Sequence, residues 1–277
     1  MGFVLPKFEE IDLFEKIKPL QNCARVVTAF SSQFIHYNEI RKENTLKVSH
    51  RGLTTQSIPY FHNDELIYFE MELDFILQSL WIRIGEEERQ IPFNLKSEEE
   101  FYSKTRNLLN DLGFSVQVKM NTFNDETEYF FEQDIMEDVL KVLHFSVYSL
   151  KKFRSELSEI TSSVQFRPHY FDQIISIITD RVLIHQGEDN NERRETVDFG
   201  FSLGDDNLHE PYFFVTANPF PENLISRKSF RNAYWRKTGN RRAVLTYKNI
   251  ADSHDPFHEL NEFYRFMYAK ILSGLSK

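Results

Sequence analysis

The sequence predicts an α+β protein of two consecutive halves, each with the order helix, antiparallel strands, helix, whose curved sheet or sheets carry helices on one face. The first observation is a strand at 67–75, where apolar and polar side chains alternate with a period of two. The second is a pair of helix starts, at Ser97 and Asp255, each of which follows a short strand. Since residues 1–120 and 121–277 share this order of elements, we expect two similar halves.

The first half begins with apolar residues at helical spacing that Pro19 interrupts, which predicts two short helices. The main strand is followed by a hairpin with its turn at 85–90. Ser97 and Glu100 have the spacing of a capping box, and Gly113 is placed to end the helix that they begin. The predicted elements are helices at 8–17, 23–34 and 97–113 and strands at 45–50, 67–75, 80–84, 91–95 and 116–120.

The second half repeats this order. A long amphipathic helix is predicted at 134–159, and a hairpin is predicted around the polar turn at 236–241. Asp255 and Pro256 are suited to the cap and first position of a final helix. The other predicted elements are strands at 164–166, 171–184, 197–203, 212–217, 233–235 and 243–247.

Two arrangements of these elements remain open. One is a duplicated saddle that resembles the TATA-box-binding-protein-like fold, and the other is a helix-grip half-barrel closed around an apolar ligand; neither analogy fixes a function. The stretch at 121–132 has no Gly or Pro and is rich in aromatic side chains, which is unlike a linker. We therefore expect the halves 1–120 and 121–277 to pack as one unit.

Composition narrows the class of protein. The chain has 277 residues, a formal net charge of −9 and one cysteine, Cys23. An acidic balance opposes binding to nucleic acid and to anionic membranes, and no run of about 18 apolar residues is present. We expect a cytoplasmic protein with a small-molecule or protein partner. The sequence has neither a metal-ligand motif nor a glycine-rich phosphate loop, which predicts that it has no metal and no cofactor.

The stretch RGLTTQSIPY, residues 51–60, concentrates special residue types after an extended segment. Gly52 permits a positive φ or a bulge, and Thr54 and Thr55 favour extended backbone, so one interpretation is a bulged strand that turns a corner. In the other interpretation, Arg51 and the two threonine hydroxyls hold a carboxylate or a phosphate.

This stretch resembles the uncharacterised bacterial family DUF5996, in which an Arg-Gly-Leu-Thr-Thr-x-x-Ile-Pro run precedes an amphipathic strand that ends in an aspartate, here Asp74. The resemblance covers residues from about 20 to 270, identifies the chain as a divergent relative and implies no known activity. The later matching blocks are Phe171-Asp172 with Arg181, Gly200-Phe201 with Gly204, Tyr212 with Pro219, Leu245 with Tyr247, and Asp255-Pro256. The departures from the family pattern are Pro168, His169, Ile177, residues 195–199, Ser202 and Leu203.

The second half supplies further candidate ligand contacts. Asp172 and Arg181 are charges in an otherwise apolar strand, where each must be paired or solvated. His169 lies just before that strand, and the resemblance adds Tyr212. We expect Asp172 or Arg181 to face the same cavity as Arg51 and Thr54 or Thr55. The basic residues at 227–242 are expected to form a solvated hairpin instead.

Three functions are compatible with these patterns. The favoured one is a binding or interaction module with an apolar, aromatic-rich groove, because 15% of the residues are aromatic. The first alternative is an enzyme that acts on a small anionic substrate, with Arg51, His169, Asp172 and Arg181 clustered. The second alternative is a structural subunit of a larger assembly, which would expose an apolar patch.

Overall fold

The chain divides into two compact units. The C-terminal unit comprises residues 1–14, 144–165 and 172–277, and the N-terminal unit comprises residues 15–143 and 166–171. The structure, a computed structural model, describes residues 4–8, 11–35, 45–116, 118, 123, 129–183, 193–221, 224–225, 229–237 and 239–275, with the backbone alone at 180–183, 193 and 274–275.

The N-terminal unit contains an antiparallel sheet. Its strands are β1 (Lys47–Val48), β2 (Gly52–Thr54), β3 (Ile58–His62), β4 (Glu65–Asp74), β5 (Ser79–Ile84) and β6 (Glu87–Pro92). Their spatial order is β1-β2-β4-β5-β6, and β3 pairs with the first part of β4. Pro92 ends the edge strand β6, as the sequence predicts, because a proline there removes no internal ladder hydrogen bond.

One face of this sheet packs against helical segments. The helices of the chain begin with α1 (Leu13–Ser31), α2 (Glu98–Asp111) and α3 (Gln133–Arg154). Phe69, Met71 and Leu73 of β4 are fully buried, and Phe34, just beyond α1, stacks on Phe69 with ring centroids 3.9 Å apart. Phe101 of α2 is also fully buried, so aromatic side chains form much of this core.

The C-terminal unit contains a second antiparallel sheet, in the spatial order β11-β12-β10-β9-β8. The later elements of the chain are β7 (Gln165–Arg167), β8 (Asp172–Leu183), β9 (Arg193–Ser202), β10 (Tyr212–Asn218), β11 (Tyr234–Arg236), β12 (Arg242–Thr246), α4 (Tyr247–Ala251) and α5 (Pro256–Leu275). Phe145 of α3 contacts Phe213 of β10, and Tyr264 of α5 contacts Phe199 of β9, so one face of this sheet also carries helices. The predicted α+β class is therefore confirmed, with two open sheets; that the halves 1–120 and 121–277 pack as one unit stays a prediction.

The predicted helix ends are confirmed where a specific cap was expected. Ser97 Oγ accepts a hydrogen bond from the Glu100 amide at 3.1 Å. Gly113 follows α2 with a φ of +85°. Asp255 Oδ1 accepts from the amide of His258 at 3.0 Å, which caps α5. Among the described residues, none of the helices combines the length and the apolar character needed to cross a bilayer.

Three predictions about local elements are wrong. The turn expected at 85–90 is shorter, because β6 pairs with β5 from Glu87 onward, and the strand expected at 91–95 ends at Pro92. Pro19 lies inside the single helix α1 rather than between two helices. Leu20 and Cys23 are fully buried, so packing of the apolar face offsets the missing backbone hydrogen bond. The strand expected at 116–120 is absent at Val116 and Val118, which lie in irregular chain, and Met120 lies outside the described residues.

Gly52 is required by close approach of the backbone rather than by a positive φ or a bulge. A Cβ at this position would lie 1.9 Å from the carbonyl oxygen of Leu73 on the neighbouring strand. Gly85 contrasts with it, because its φ is +57° and a Cβ there would meet nothing within 4 Å.

We therefore expect Gly52→Ala to lower the free energy of unfolding by at least about 3 kcal/mol, because the backbone of β4 must shift. Gly85→Ala is the matched control and should cost only about 1–2 kcal/mol, the strain of a left-handed alanine. Urea unfolding of both variants measures the difference. Equal costs would contradict the close approach as the reason for Gly52.

Candidate functional site

Arg51 of the opening stretch pairs with the last residue of β4. Its Nε donates to Asp74 Oδ2 at 2.5 Å, and the Asp74 side chain is only 3% exposed. Asp74 Oδ1 accepts from the amides of Ile76 and Leu77, so the carboxylate also holds the turn between β4 and β5. Arg51 thus compensates a buried charge that shapes a turn.

The acidic residues of β4 alternate with apolar ones, a pattern that predicts one face of the strand in water, and the structure shows that this is wrong for its C-terminal part. Glu72 is 9% exposed; it accepts from Ser49 Oγ at 2.6 Å and from Arg83 Nη1 at 3.0 Å. Glu70 accepts from Thr54 Oγ1 at 2.7 Å. Glu72 is buried and Glu70 is half-buried because arginine and hydroxyl donors on neighbouring segments satisfy their carboxylates.

Thr55 shapes the backbone of the same stretch. Its Oγ1 accepts from the Met71 amide at 3.0 Å and donates to the carbonyl of Gln56 at 2.9 Å. Gln56 has a φ of +58°, so these bonds fix the kink between β2 and β3. Arg51, Thr54 and Thr55 each have a partner within the N-terminal unit, which favours the interpretation of this stretch as a strongly specified corner.

The other predicted residues fall in different settings. His169 is exposed, and its carbonyl accepts from Gln21 Nε2 at 3.3 Å. Asp172 is 2% exposed and lies opposite Ser202 in the pairing of β8 with β9. The side chain of Arg181 lies outside the described residues, so its expected convergence with Arg51 stays a prediction.

Tyr212 lies at the centre of a buried polar group. Its side chain is fully buried, and its Oη donates to Asp205 Oδ2 at 2.5 Å while accepting from Arg242 Nη1 at 3.0 Å. Burial, together with the hydrogen bond to Asp205, raises the pKa of Tyr212 to about 12. We call Asp205, Tyr212, Arg236 and Arg242 the Tyr212 cluster.

Asp205 is held as a carboxylate. Arg236 Nη1 contacts both of its oxygens, at 3.0 and 2.6 Å, and the amides of Asn207 and Leu208 donate to Oδ1. Burial opposes the charge of Asp205, but the hydrogen bonds from Tyr212 and Arg236 lower its pKa. This contact therefore stabilises the fold above the unfolded-state pKa of Asp205, and the contribution is lost as the pH falls through the lower folded-state pKa.

Arg242 differs from the other members of the cluster. It is 5% exposed, and its guanidinium lies over the Phe214 ring with its carbon 4.3 Å from the ring centroid. Within the described residues, its Nε is buried without a hydrogen-bond partner, and no carboxylate forms an ion pair with it. Arg242 is also directly opposite Arg236 in the pairing of β11 with β12. The cluster has two guanidinium groups and one carboxylate, which leaves one positive charge uncompensated within it.

The sequence analysis included Tyr212 but missed Asp205, Arg236 and Arg242. The two arginines were expected on a solvated hairpin, yet they are 8% and 5% exposed. The position of Arg242 in its strand could have indicated that it is buried. Arg242 is two residues from Val244, and Val244 packs with Tyr212 and Phe214. In a strand, residues two apart share a face. Nothing in the local sequence around Asp205 indicates its partner.

The Arg51 contact with Asp74 gives a quantitative prediction. We expect Arg51→Ala to lower the free energy of unfolding by about 1–3 kcal/mol, because a buried carboxylate loses its charged donor. In a double-mutant cycle, Asp74→Asn should reduce this cost, because the asparagine oxygen can still accept from the turn amides.

Arg89→Ala is the control, because the side chains of Arg89 and Glu87 are 49% and 57% exposed. Removing such a surface pair should cost about 0–1 kcal/mol. Chemical denaturation of the variants measures all of these values. If Arg51→Ala costs no more than Arg89→Ala, the buried pair does not have the role described.

Comparison with known proteins gives a family and no activity. A model of a family of unknown function, DUF5996, matches residues 6–273. No curated protein and no solved structure matches the chain. Because the match extends over nearly the whole sequence, the chain belongs to the DUF5996 family.

Proposed function

We propose that this chain is a binding protein for a small anion, held on the face of the C-terminal sheet that carries the Tyr212 cluster. The observation that supports it is Arg242, a buried cation whose Nε has no hydrogen-bond partner among the described residues. A buried charge without a counter-charge is costly, so proteins pair such groups with one another or with a ligand.

The chemistry of arginine indicates the kind of ligand. Nε and Nη2 form the edge of the guanidinium that binds a carboxylate or phosphate through two parallel hydrogen bonds. In Arg242, Nη1 is used by Tyr212, and Nε marks the edge that remains for an acceptor. Stacking on Phe214 fixes the plane of the group, which lowers the entropy lost on binding.

The protonation states favour binding over acid–base catalysis. The pKa of Tyr212 is raised to about 12, and the pKa of Asp205 is lowered, so neither group exchanges its proton near neutral pH. What the cluster offers is a fixed positive charge beside aromatic rings. The net charge of −9 favours a small anion over nucleic acid as the partner.

A second candidate function is that of an assembly subunit, and one observation favours it. The hairpin of β3 and β4 exposes apolar side chains at directly paired positions, with Phe61 72% and Leu66 52% exposed. Tyr68, on the same face, is 55% exposed. Large apolar groups that lie together at a surface are typical of protein interfaces.

Binding of an anion is tested with acetate, benzoate, phosphate and sulfate, each added to the dialysed protein at constant ionic strength. We expect at least one of them to raise the Tm of the wild type, because a ligand that binds only the folded state stabilises it. Arg242→Met should abolish this rise, while the neighbouring variant Arg241→Met should keep it.

Arg242→Met has a second expected effect. Without added anion its free energy of unfolding should equal or exceed that of the wild type, because an uncompensated buried charge is replaced by an apolar side chain. The proposal is wrong if none of the four anions shifts the Tm, or if the shift survives in Arg242→Met.

The assembly candidate is tested by sedimentation velocity over a range of protein concentrations. We expect concentration-dependent self-association that the double variant Phe61→Ser/Leu66→Ser removes, because the apolar area that drives contact is lost. The control is Phe130→Ser, since Phe130 is 68% exposed outside this hairpin. A wild-type protein that stays monomeric at every concentration contradicts self-association through the hairpin.

A further inference from the structure

The side chains beside Arg242 form a row across the C-terminal sheet. Residues directly opposite each other in an antiparallel pair have their side chains on the same face. Phe214 is opposite Val244, and Val244 is opposite Tyr234, so the row runs from β10 over β12 to β11. Arg242 is two residues from Val244 in β12, so its side chain leaves the backbone on the face that carries this row.

The row is apolar, and its exposure rises toward the edge of the sheet. Phe214 and Val244 are fully buried, and the half-buried side chain of Leu208 packs against their cluster. Tyr234 is 41% exposed and lies on β11, the edge strand. A ligand of Arg242 therefore has apolar neighbours, and Tyr234 is the member of the row that reaches water.

The charge of the Tyr212 cluster limits the charge of its ligand. Asp205 forms its ion pair with Arg236, which leaves the cluster with one positive charge in excess. A monoanion neutralises that charge. A dianion such as phosphate leaves a net negative charge in a site that is largely removed from water, and such a charge is costly.

Acidic side chains near the cluster also oppose a second negative charge on the ligand. Burial raises the pKa of Tyr234, and the charge of the exposed Glu210 raises it further, so the field of Glu210 reaches the open end of the row. Asp172 lies on the same face as Tyr212, because both are opposite Ser202 in their strand pairs. The two strand spacings between them amount to about 10 Å. Both positions favour a ligand whose remaining part is uncharged.

We infer that the ligand of Arg242 is a monocarboxylate with an apolar body, whose carboxylate binds the Nε edge and whose body packs against the row that ends at Tyr234. This inference rests on the proposed anion-binding function and specifies its ligand class. A carboxylate has two acceptor oxygens for the two donors of that edge, and it carries the single charge that the cluster lacks.

The test compares benzoate, acetate and phenyl phosphate by isothermal titration calorimetry on the full chain, at mildly alkaline pH, where phenyl phosphate is a dianion. We expect benzoate to bind at least about tenfold more tightly than acetate, because its ring is removed from water on binding. Benzoate should exceed phenyl phosphate by a similar factor, because the second charge of the phosphate has no counter-charge.

Tyr234→Ser separates contact with the body from contact with the carboxylate. It should weaken benzoate binding several-fold and leave acetate binding unchanged, because acetate is too short to reach the row. Tyr170→Ser is the matched control, since Tyr170 is 51% exposed in the N-terminal unit, and it should change neither affinity.

Three results would overturn the inference: equal affinity for benzoate and acetate, tighter binding of phenyl phosphate than of benzoate, or unchanged benzoate affinity in Tyr234→Ser. The proposed anion-binding function survives each of them if binding is lost in Arg242→Met. Wild-type protein that binds none of the three anions, or binding that persists in Arg242→Met, would contradict both the function and the ligand class.

Discussion

A charge removed from water needs a partner. This constraint determines which polar residues occupy the face of each sheet that is turned away from its helices. In the N-terminal unit, Asp74 and Glu72 are buried because Arg51 and Arg83 reach them. In the C-terminal unit, Asp205 is bound by Arg236 through both carboxylate oxygens. These contacts allow polar residues to lie in otherwise apolar strands. They also position the turns that join the strands.

Arg242 departs from this pattern, and the departure has a physical consequence. Arg242 lies directly across the strand pair from Arg236, so two like charges are neighbours, while in the described part of the chain the ion pair of Asp205 is with Arg236. Such an arrangement lowers stability unless another negative charge joins it. A site that is kept at a cost to stability is typical of ligand binding, whereas the fully partnered residues around Arg51 are explained by the fold alone.

The sequence predicts the elements well where a local rule decides them. The side chains of Ser97 and Asp255 each cap a helix by accepting from an amide three residues later, so a short sequence pattern predicts them. Gly113 ends its helix because glycine readily adopts a positive φ. Long-range contacts decide the rest. Pro19 stays inside a helix because tertiary packing outweighs a local preference. Arg236 and Asp205 are 31 residues apart, and no local pattern predicts that they meet.

The most direct test of an anion at Arg242 is a high-resolution crystal structure of the protein grown without sulfate or phosphate. The expected result is electron density for a non-protein acceptor within about 3.2 Å of Arg242 Nε, in the plane of the guanidinium. A carboxylate of the chain itself at that position, or an ordered Nε that faces only apolar atoms, would contradict the proposed binding function.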